Sequence, residues 1–296
     1  MARAGWGRVV FAAACIAAAW PVRAQRAPRV DPSPAELALS TGDLDAAEDA
    51  LYEGVRRAPR APSARGALGA FLAARGRFRI GATLLEEAVE LGGDSASVER
   101  RLASVWRWAG EYARIGVLRH SGLSQGERDA MLRAGMAEPA GAATAAVALE
   151  PNELAGLGRV TLMIGTEAVP ADISPLADGL LLPATPASLA AVEPVGASGD
   201  TTFAVARQVM IGGVALGATP VALVPLLRAA RIGLDVLARV TPTFDPVAKT
   251  LTVRTGKAPA GGDAWPLYLT FPGVSTVAAP GAPPVALHTQ IGRAHV

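Results

Sequence analysis

The pattern of apolar and polar positions divides this chain into a helical first part and a strand-rich second part. In the first part a set of small and apolar positions repeats, and Gly42, Gly76 and Gly110 stand 34 residues apart. From Val147 onward, short apolar runs such as "RVTLMI", "TTFAVARQVMI" and "KTLTVRTG" alternate with Gly and Pro. Short strands separated by such turn residues favour a small barrel or sandwich. The predicted fold class is therefore α+β multidomain, with N-terminal helical hairpins and a C-terminal mostly-β region.

The residues around the three glycines repeat with the same period. Each glycine is followed two and five positions later by an apolar or small residue, and matched apolar residues precede the second and third glycines. These positions are Leu44, Phe78 and Tyr112; Ala47, Gly81 and Ile115; Leu68 and Leu102; and Leu72 and Trp106. A 34-residue helix–turn–helix unit of this kind resembles the tetratricopeptide repeat over about residues 33–118, which implies that the glycine forms the turn between paired helices. The third unit departs from the pattern, because Arg119 stands where the first two have leucine, and its second helix is expected to be short.

Polar residues mark the start of two predicted helices. Ser33 and Glu36, with Pro34 between them, predict a capping box at the start of the first hairpin. Ser124 and Glu127 form the same kind of pair at the start of a short helix. Residues 136–146, "MAEPAGAATAA", are predicted to be a linker. The sequence thus indicates helical repeats over residues 25–118, a short helix and linker over 119–146, and a β domain over 147–256.

The order of elements in the β domain carries a second resemblance. A strand, a loop, a "GLLL" strand and a short helix are followed by a hairpin with a Gly-Gly turn, by "IGLDVL" at 232–237 and by "FDPVAKTLTV". Over about residues 147–254 this succession resembles the retropepsin-like aspartic peptidase domain of exported bacterial proteins. The resemblance implies a mostly-β retropepsin-like barrel. It also implies structural roles for Gly233, in the apolar–apolar–Gly loop, and for Asp235, which is expected to cap or anchor the helix behind it.

The catalytic motif of that family is Asp-Thr/Ser-Gly, and the resemblance places it at Ser174, Pro175 and Leu176. Ser174 does not ionise near neutral pH, so it cannot form half of a carboxylate pair that shares a proton and activates water. Pro175 lacks an N–H group, and Leu176 adds a side chain where the backbone must come close. Asp172 and Asp178 do not restore the motif, and both are expected to be solvated loop residues. The sequence therefore predicts no catalytic residue here.

A polar and aromatic helix face in the third repeat is a candidate peptide-binding groove. Arg100, Ser104, Arg107 and Trp108 fall on one face by their spacing, and the repeat resemblance directs that face toward the concave groove. Arg beside Trp suits acidic or C-terminal peptide groups. The alternative is that Trp108 packs on the short helix or on the β domain. Trp106 lies at a predicted core position.

The N-terminus has the layout of a secretory signal peptide. A basic start is followed by twelve apolar residues from Val9 to Trp20 and by small residues near Ala24. The alternative, a transmembrane anchor, needs about 20 apolar residues. We therefore expect residues 1–24 to be a bacterial Sec-type signal, the mature protein to have no membrane span, and its location to be periplasmic or secreted.

Signal cleavage changes the charge and the thiol content. The whole chain carries +2, from 28 basic and 26 acidic side chains, and removal of Arg3, Arg8 and Arg23 leaves 25 basic side chains, or about −1. A chain near neutrality has no cationic footprint for nucleic acid. The single cysteine, Cys15, leaves with the signal, so the mature protein can form no disulfide or thiolate metal site.

The C-terminal segment contains residues that are expected not to belong to the natural protein. Residues 291–296, "IGRAHV", match the translation of a common sequencing adapter and are expected not to be biological, so the natural chain is expected to continue beyond Gln290. Residues 257–290 are then the start of a possible second, truncated lobe. His120, His288 and His295 have no metal-ligand spacing, and the sequence predicts neither a metal nor a cofactor.

Together these patterns favour an exported, non-catalytic protein that combines tetratricopeptide-like repeats with an inactive retropepsin-like domain. Its expected partner is a peptide or protein, and a homodimer through the β domain is an open alternative. Two other functions remain open: an aspartic endopeptidase whose motif lies in the missing C-terminal part, and a structural envelope scaffold.

Overall fold

The computed structural model describes residues 33–151, 157–175, 177–245 and 247–256, and the backbone of three strands between 267 and 286. The predicted signal peptide, Cys15, Leu176, His288, His295 and residues 291–296 lie outside the described residues. Seven helices come first. They are α1 Pro34–Ser40, α2 Leu44–Arg57, α3 Pro62–Ala74, α4 Phe78–Glu90, α5 Ser95–Ala109, α6 Tyr112–Gly116 and α7 Gln125–Ala134. Neighbouring helices pack on one another in chain order, and the predicted order of helices followed by mostly strands is confirmed.

The three repeating glycines lie in the turns between paired helices, as predicted. Gly42, Gly76 and Gly110 have φ angles of +74°, +79° and +72°. This left-handed backbone costs little for a residue without Cβ, which explains why glycine recurs at this place. The short second helix predicted for the third unit is also confirmed, since α6 has five residues.

The two predicted capping pairs behave differently. The Ser33 hydroxyl accepts from the Glu36 N–H at 3.2 Å, and the Glu36 carboxylate accepts from the Ser33 N–H at 2.7 Å, so the capping box is confirmed. The Ser124 hydroxyl likewise accepts from the Glu127 N–H at 3.2 Å. The Glu127 carboxylate, however, forms an ion pair with Arg107. The expected capping role of this carboxylate is therefore wrong, because the fold brings the guanidinium of Arg107 within reach of it.

Eleven strands and two short helices follow the helical region within the well-described part of the chain. They are β1 Ala140–Gly141, β2 Thr144–Ala148, β3 Arg159–Ile164, β4 Glu167–Ser174, β5 Leu180–Pro183, α8 Pro186–Ala190, β6 Glu193–Ser198, β7 Thr201–Ile211, β8 Val214–Val224, β9 Ala230–Gly233, α9 Leu234–Leu237, β10 Thr241–Asp245 and β11 Thr250–Arg254. Six of them pair in the order β8-β5-β9-β4-β3-β7, and pairing of β7 with β8 closes the ring. The result is a six-stranded barrel.

The barrel places one strand between two others that are neighbours in sequence. β9 runs parallel to β4 and antiparallel to β5, so it separates the two strands on either side of the loop 175–179. Ser174 lies beside Gly233 in the parallel ladder. The end of β4, the loop and the start of α9 are thereby brought together.

The predicted linker, residues 136–146, contains strand β1 and the first residues of strand β2. β1 pairs with the edge of β8, and β2 forms a second sheet in the order β10-β11-β2. Alanine and glycine have little strand propensity of their own, and pairing with distant strands decides the conformation here. A third antiparallel sheet contains β12 Leu267–Thr270, β13 Val274–Val277 and β14 Val285–Ala286, within the segment predicted to start a second lobe.

The helices and the barrel share part of their core. The barrel interior is filled by residues such as Leu162, Ile173 and Leu182, all fully buried. A second cluster joins Met131 of α7 to Val205 of β7. Helix α7 packs on β6, β7 and β8, and α5 contacts α9. This contact places one end of α5 against the loop that precedes β5.

No helix of the described part of the chain has the length and apolar character needed to cross a membrane.

Candidate functional site

The loop 175–179 at the end of β4 is the place where the sequence resemblance locates a catalytic motif. Ser174 is half-buried at the last position of β4, and Pro175 is buried behind it. Leu176 lies outside the described residues. The loop continues through Ala177 and the exposed Asp178 to Gly179, and β5 begins at the next residue, Leu180. The residue that ends β4 therefore presents a hydroxyl group rather than a carboxylate.

Asp235 holds the second half of this loop. Its side chain is 1% exposed, and its two carboxylate oxygens lie 3.1 and 3.0 Å from the Gly179 nitrogen, whose N–H group donates to them. The Gly179 carbonyl in turn accepts from the Gly233 N–H at 2.8 Å. A side chain at position 233 would collide with the Asp235 carboxylate and with the Ala177 carbonyl. Gly233 is thus required by close backbone approach, and the contacts of Asp235 reach the loop as well as α9.

Arg107 approaches the same loop from the helical region. It lies near the end of α5 and is 9% exposed. Its Nη2 is 3.2 Å from the Glu127 Oε1 atom on α7. Its Nη1 would be 3.6 Å from a Cβ built on Gly179. One guanidinium group therefore joins α5, α7 and the barrel loop.

Four charged groups meet at this point, and their electrostatics depend on burial. The members are Arg107, Glu127, Asp178 and Asp235, here called the interface cluster. Burial opposes the charge of Arg107, but the three carboxylates outweigh it and raise the pKa of the guanidinium. Burial also opposes the charge of Asp235 and raises the pKa of its carboxyl to about 6, although Arg107 and the Gly179 N–H favour ionisation. Asp235 consequently changes protonation within the range of mildly acidic environments.

A cavity of about 180 Å³ opens beside the interface cluster, between the helices and the barrel. Arg107, Glu127 and Asp178 provide its charged groups. The rest of the lining is mostly apolar: Tyr112, Leu123, Ala130, Met131, Gly179, Leu180, Leu181, Phe203, Pro220, Val221 and Ala222. Neither part of the chain alone forms this cavity. Sequence patterns did not identify it, because its walls combine helices with strands that follow them much later in the chain.

The predicted helix face on α5 is divided between several environments. Arg100 is exposed, and the Ser104 hydroxyl donates to the Arg100 carbonyl at 3.4 Å. Trp108 is 8% exposed and stacks on Phe78 of α4, with ring centroids 6.2 Å apart. Arg107 belongs to the interface cluster. The alternative that Trp108 packs on the short helix or on the β domain does not describe its observed stacking partner, which belongs to the repeats. A peptide-binding role for this face stays a prediction.

Trp106 lies in the core, as predicted, whereas Asp172 does not lie in a solvated loop. Trp106 is 3% exposed, and the Arg114 guanidinium lies 4.4 Å from its ring centroid, so its core position is confirmed. Asp172 was expected in a solvated loop, but it lies on β4, is 3% exposed and pairs with Arg159 at 2.8 Å. The correction follows from the length of β4, which extends through the polar "ADIS" segment because β3 and β9 pair with it.

A second buried arginine, Arg239, lies near the cavity without lining it. Its guanidinium carbon is 4.7 Å from the Tyr112 ring centroid, and Nη1 donates to the Leu216 carbonyl at 3.1 Å and to the Thr219 hydroxyl at 2.9 Å. Burial lowers the pKa of Arg239 to about 9. The side chain is therefore still mainly positive at neutral pH.

Among the described residues, no group of three or more His, Cys, Asp or Glu side chains is placed to hold a metal ion.

No protein-family model and no curated protein matches the chain. Among solved structures, a mutant O-GlcNAc transferase from Thermobaculum terrenum is 29% identical, with a TM-score of 0.28, over 34% of this chain and 20% of that chain. A retropepsin-like aspartic protease from Rickettsia conorii is 13% identical, with a TM-score of 0.29, over 40% of this chain and 93% of that chain. This chain thus spans about a fifth of the length of the transferase. Both likenesses are partial, so the proposed function rests on the geometry of the chain itself.

Proposed function

We propose that this chain is an exported, non-catalytic protein that binds a peptide or protein ligand with its helical hairpins and its barrel. The observation that carries the proposal is the environment of Asp235. This carboxylate is 1% exposed and is held by the Gly179 N–H beside the loop 175–179, so it does not supply the accessible acid that is missing at Ser174.

Both the residue types and their access to water disfavour hydrolysis at this loop. Peptide cleavage by a carboxylate pair requires two acids that share one proton and both contact the attacking water. Ser174 supplies no acid at the end of β4, and Asp235 is 1% exposed with both oxygens directed at a backbone N–H. Asp178 is exposed but has no accessible acid partner in the interface cluster, since Glu127 is committed to Arg107.

Two features of the chain favour ligand binding. The helical hairpins resemble peptide-binding repeats in sequence, and a partly open cavity lies where they meet the barrel. Cavities larger than a water molecule are few in native proteins, so one of this size at an interface favours a binding role. The N-terminal signal pattern supports a location outside the cytoplasm.

Two measurements test this proposal. Hydrolysis of a mixed peptide substrate is followed at acid pH, with and without an aspartic-peptidase inhibitor, and we expect no inhibitor-sensitive turnover. Short random peptides are then selected on the purified protein and titrated individually, and we expect saturable binding. Inhibitor-sensitive cleavage would favour the endopeptidase alternative, and the absence of any saturable peptide would favour the structural scaffold.

A further inference from the structure

We propose that the cavity between α5–α7 and the barrel binds a peptide segment in which a cationic group adjoins an aromatic or large aliphatic side chain. This inference rests on the proposed binding function and assigns a site and a ligand chemistry to it. Three properties of the cavity carry it: its size, its apolar interior, and the placement of charge around it.

The size suits one side chain rather than a whole small molecule. Sites for drug-sized ligands occupy roughly 300–1,000 Å³. The cavity has about 180 Å³, which is close to the roughly 150 Å³ of an apolar protein cavity that holds benzene. A phenyl ring or a branched aliphatic group of a peptide therefore fits it, and the remainder of the peptide stays outside.

The interior suits an apolar group. Leu123, Met131 and Phe203 form walls on the helical and barrel sides, and Leu180 and Val221 complete the barrel side. Met131 contributes a flexible thioether that adapts to an aromatic ring. Transfer of an apolar side chain from water to such walls is favourable, at about 25 cal/mol per Å² of apolar surface removed from water.

The charges around the cavity favour a cation at its open side. Asp178 is exposed, whereas Arg107 is buried and already paired with Glu127. The Asp178 carboxylate is therefore more accessible to a ligand than the Arg107 guanidinium. Among the charged residues that line the cavity, the two acids Glu127 and Asp178 outnumber the one base, Arg107, and a ligand cation would balance this excess.

The experiment uses three probes with the same phenyl group and a short carbon chain: 2-phenylethylammonium, 2-phenylethanol and 3-phenylpropionate. Binding to the full chain is measured at pH 7.5 and low salt by calorimetry and by shifts of backbone amide signals. We expect saturable binding of 2-phenylethylammonium, at least five times tighter than that of 3-phenylpropionate, with the alcohol between them. Equal binding of the cation and the anion, or no binding of any probe, overturns the inference.

Two variants assign the binding to this cavity. Asp178→Asn is expected to weaken 2-phenylethylammonium at least fivefold and to leave 2-phenylethanol unchanged, because the amide keeps the shape and removes the charge. Leu123→Trp is expected to abolish binding of all three probes by filling the cavity. Asp200→Asn, in the exposed turn before β7, is the matched control and should change nothing. If Leu123→Trp does not fold, Asp178→Asn, at an exposed residue, still tests whether the cation binds at this cavity.

A peptide pair separates this inference from the proposed function. N-acetyl-Lys-Phe-amide should bind at least five times more tightly than N-acetyl-Glu-Phe-amide, and the difference should disappear in Asp178→Asn. If selected peptides bind saturably but Asp178→Asn and Leu123→Trp leave their affinity unchanged, the inference is wrong and the proposed function stands. If inhibitor-sensitive hydrolysis is found, the proposed function itself fails.

Discussion

Gly126 of α7 and Gly196 of β6 lie in direct backbone contact across the boundary between the helices and the barrel. A Cβ atom built on Gly196 would be 2.8 Å from the Gly126 Cα atom, and one built on Gly126 would be 2.9 Å from the Ala197 nitrogen. These distances are shorter than a methyl group tolerates against backbone. The close approach of α7 to β6 therefore depends on the absence of side chains at both positions.

Gly126→Ala is expected to destabilise the protein by about 1–3 kcal/mol, because the added methyl group must move backbone on both sides of the boundary. The measurement is the urea unfolding midpoint at an unchanged slope. Gly54→Ala is the control, since Gly54 lies inside α2 and, apart from the adjacent backbone of that helix, no atom of the described residues lies within 4 Å of the added methyl group. The free energy of unfolding of that control should rise by about 0.5–1 kcal/mol, because alanine has a higher helix propensity than glycine. A similar rise in Gly126→Ala would contradict the close contact between α7 and β6.

Asp235→Asn is expected to change how stability depends on pH. The folded-state pKa of Asp235 is about 6, above its ordinary value of 3.8, so the folded protein binds this proton more tightly than the unfolded chain. The resulting stabilisation is fully present below pH 3.8 and is lost as pH rises through 6. It amounts to about 3 kcal/mol, at 1.36 kcal/mol per pKa unit.

The measurement is the free energy of unfolding of wild type and of Asp235→Asn from pH 4 to pH 8. It checks whether stability falls as the pH rises. Because the amide cannot ionise, wild type should lose stability relative to the variant as pH rises across this range. A difference between the two proteins that is constant with pH would contradict the raised pKa. Thr161→Ala, which changes no ionisable group, is the control and should show a difference that is constant with pH.

Arg107→Met is expected to destabilise the protein by about 3–5 kcal/mol, because it leaves the buried Asp235 and the half-buried Glu127 without their cation. Adding Glu127→Gln should recover part of that loss, since one of those charges is then removed as well. Arg56→Met is the matched control: Arg56 pairs with Glu53 with its side chain 72% exposed, and its loss should change stability by less than about 1 kcal/mol. Equal effects of the two arginine changes in thermal or urea unfolding would show that Arg107 is not a buried anchor.

Leu162→Ala is expected to destabilise the barrel by about 2–5 kcal/mol, because Leu162 is fully buried and its truncation leaves a cavity. Thr161→Ala, the adjacent exposed position on β3, should change stability by less than about 1 kcal/mol. The comparison tests the register of β3, since a shift by one residue would reverse which of the two side chains faces the core.

The fold was predictable from sequence where short-range chemistry decides it. The positive φ angles at Gly42, Gly76 and Gly110 and the capping box at Ser33 depend on residues within one turn of the chain, so the spacing and the residue types suffice. The candidate site was only partly predictable. The family resemblance directed attention to Ser174 and Asp235, and the helix face included Arg107, but no pattern indicated that Arg107 and Asp235 belong to one cluster.

The charged residues show most clearly what local patterns omit. Glu127 has the spacing of a capping residue, and Asp172 lies in a polar segment whose sequence predicts a loop. In the structure both carboxylates pair with an arginine. The electrostatic cost of burying a charge depends on which partner the fold supplies, and those partners come from other elements. Spacing along the chain contains no information about that choice.

By itself, the sequence determined the helical hairpins, their glycine turns and most of the strands, because backbone conformation responds to neighbouring residues and to the period of apolar positions. Only the tertiary structure decided that β9 separates β4 from β5, that α7 approaches β6 at two glycines, and that a cavity opens beside Arg107. The physical reason is distance along the chain: these features join segments whose contact is set by the packing of whole elements and by the burial of charge, and neither is encoded in any one segment.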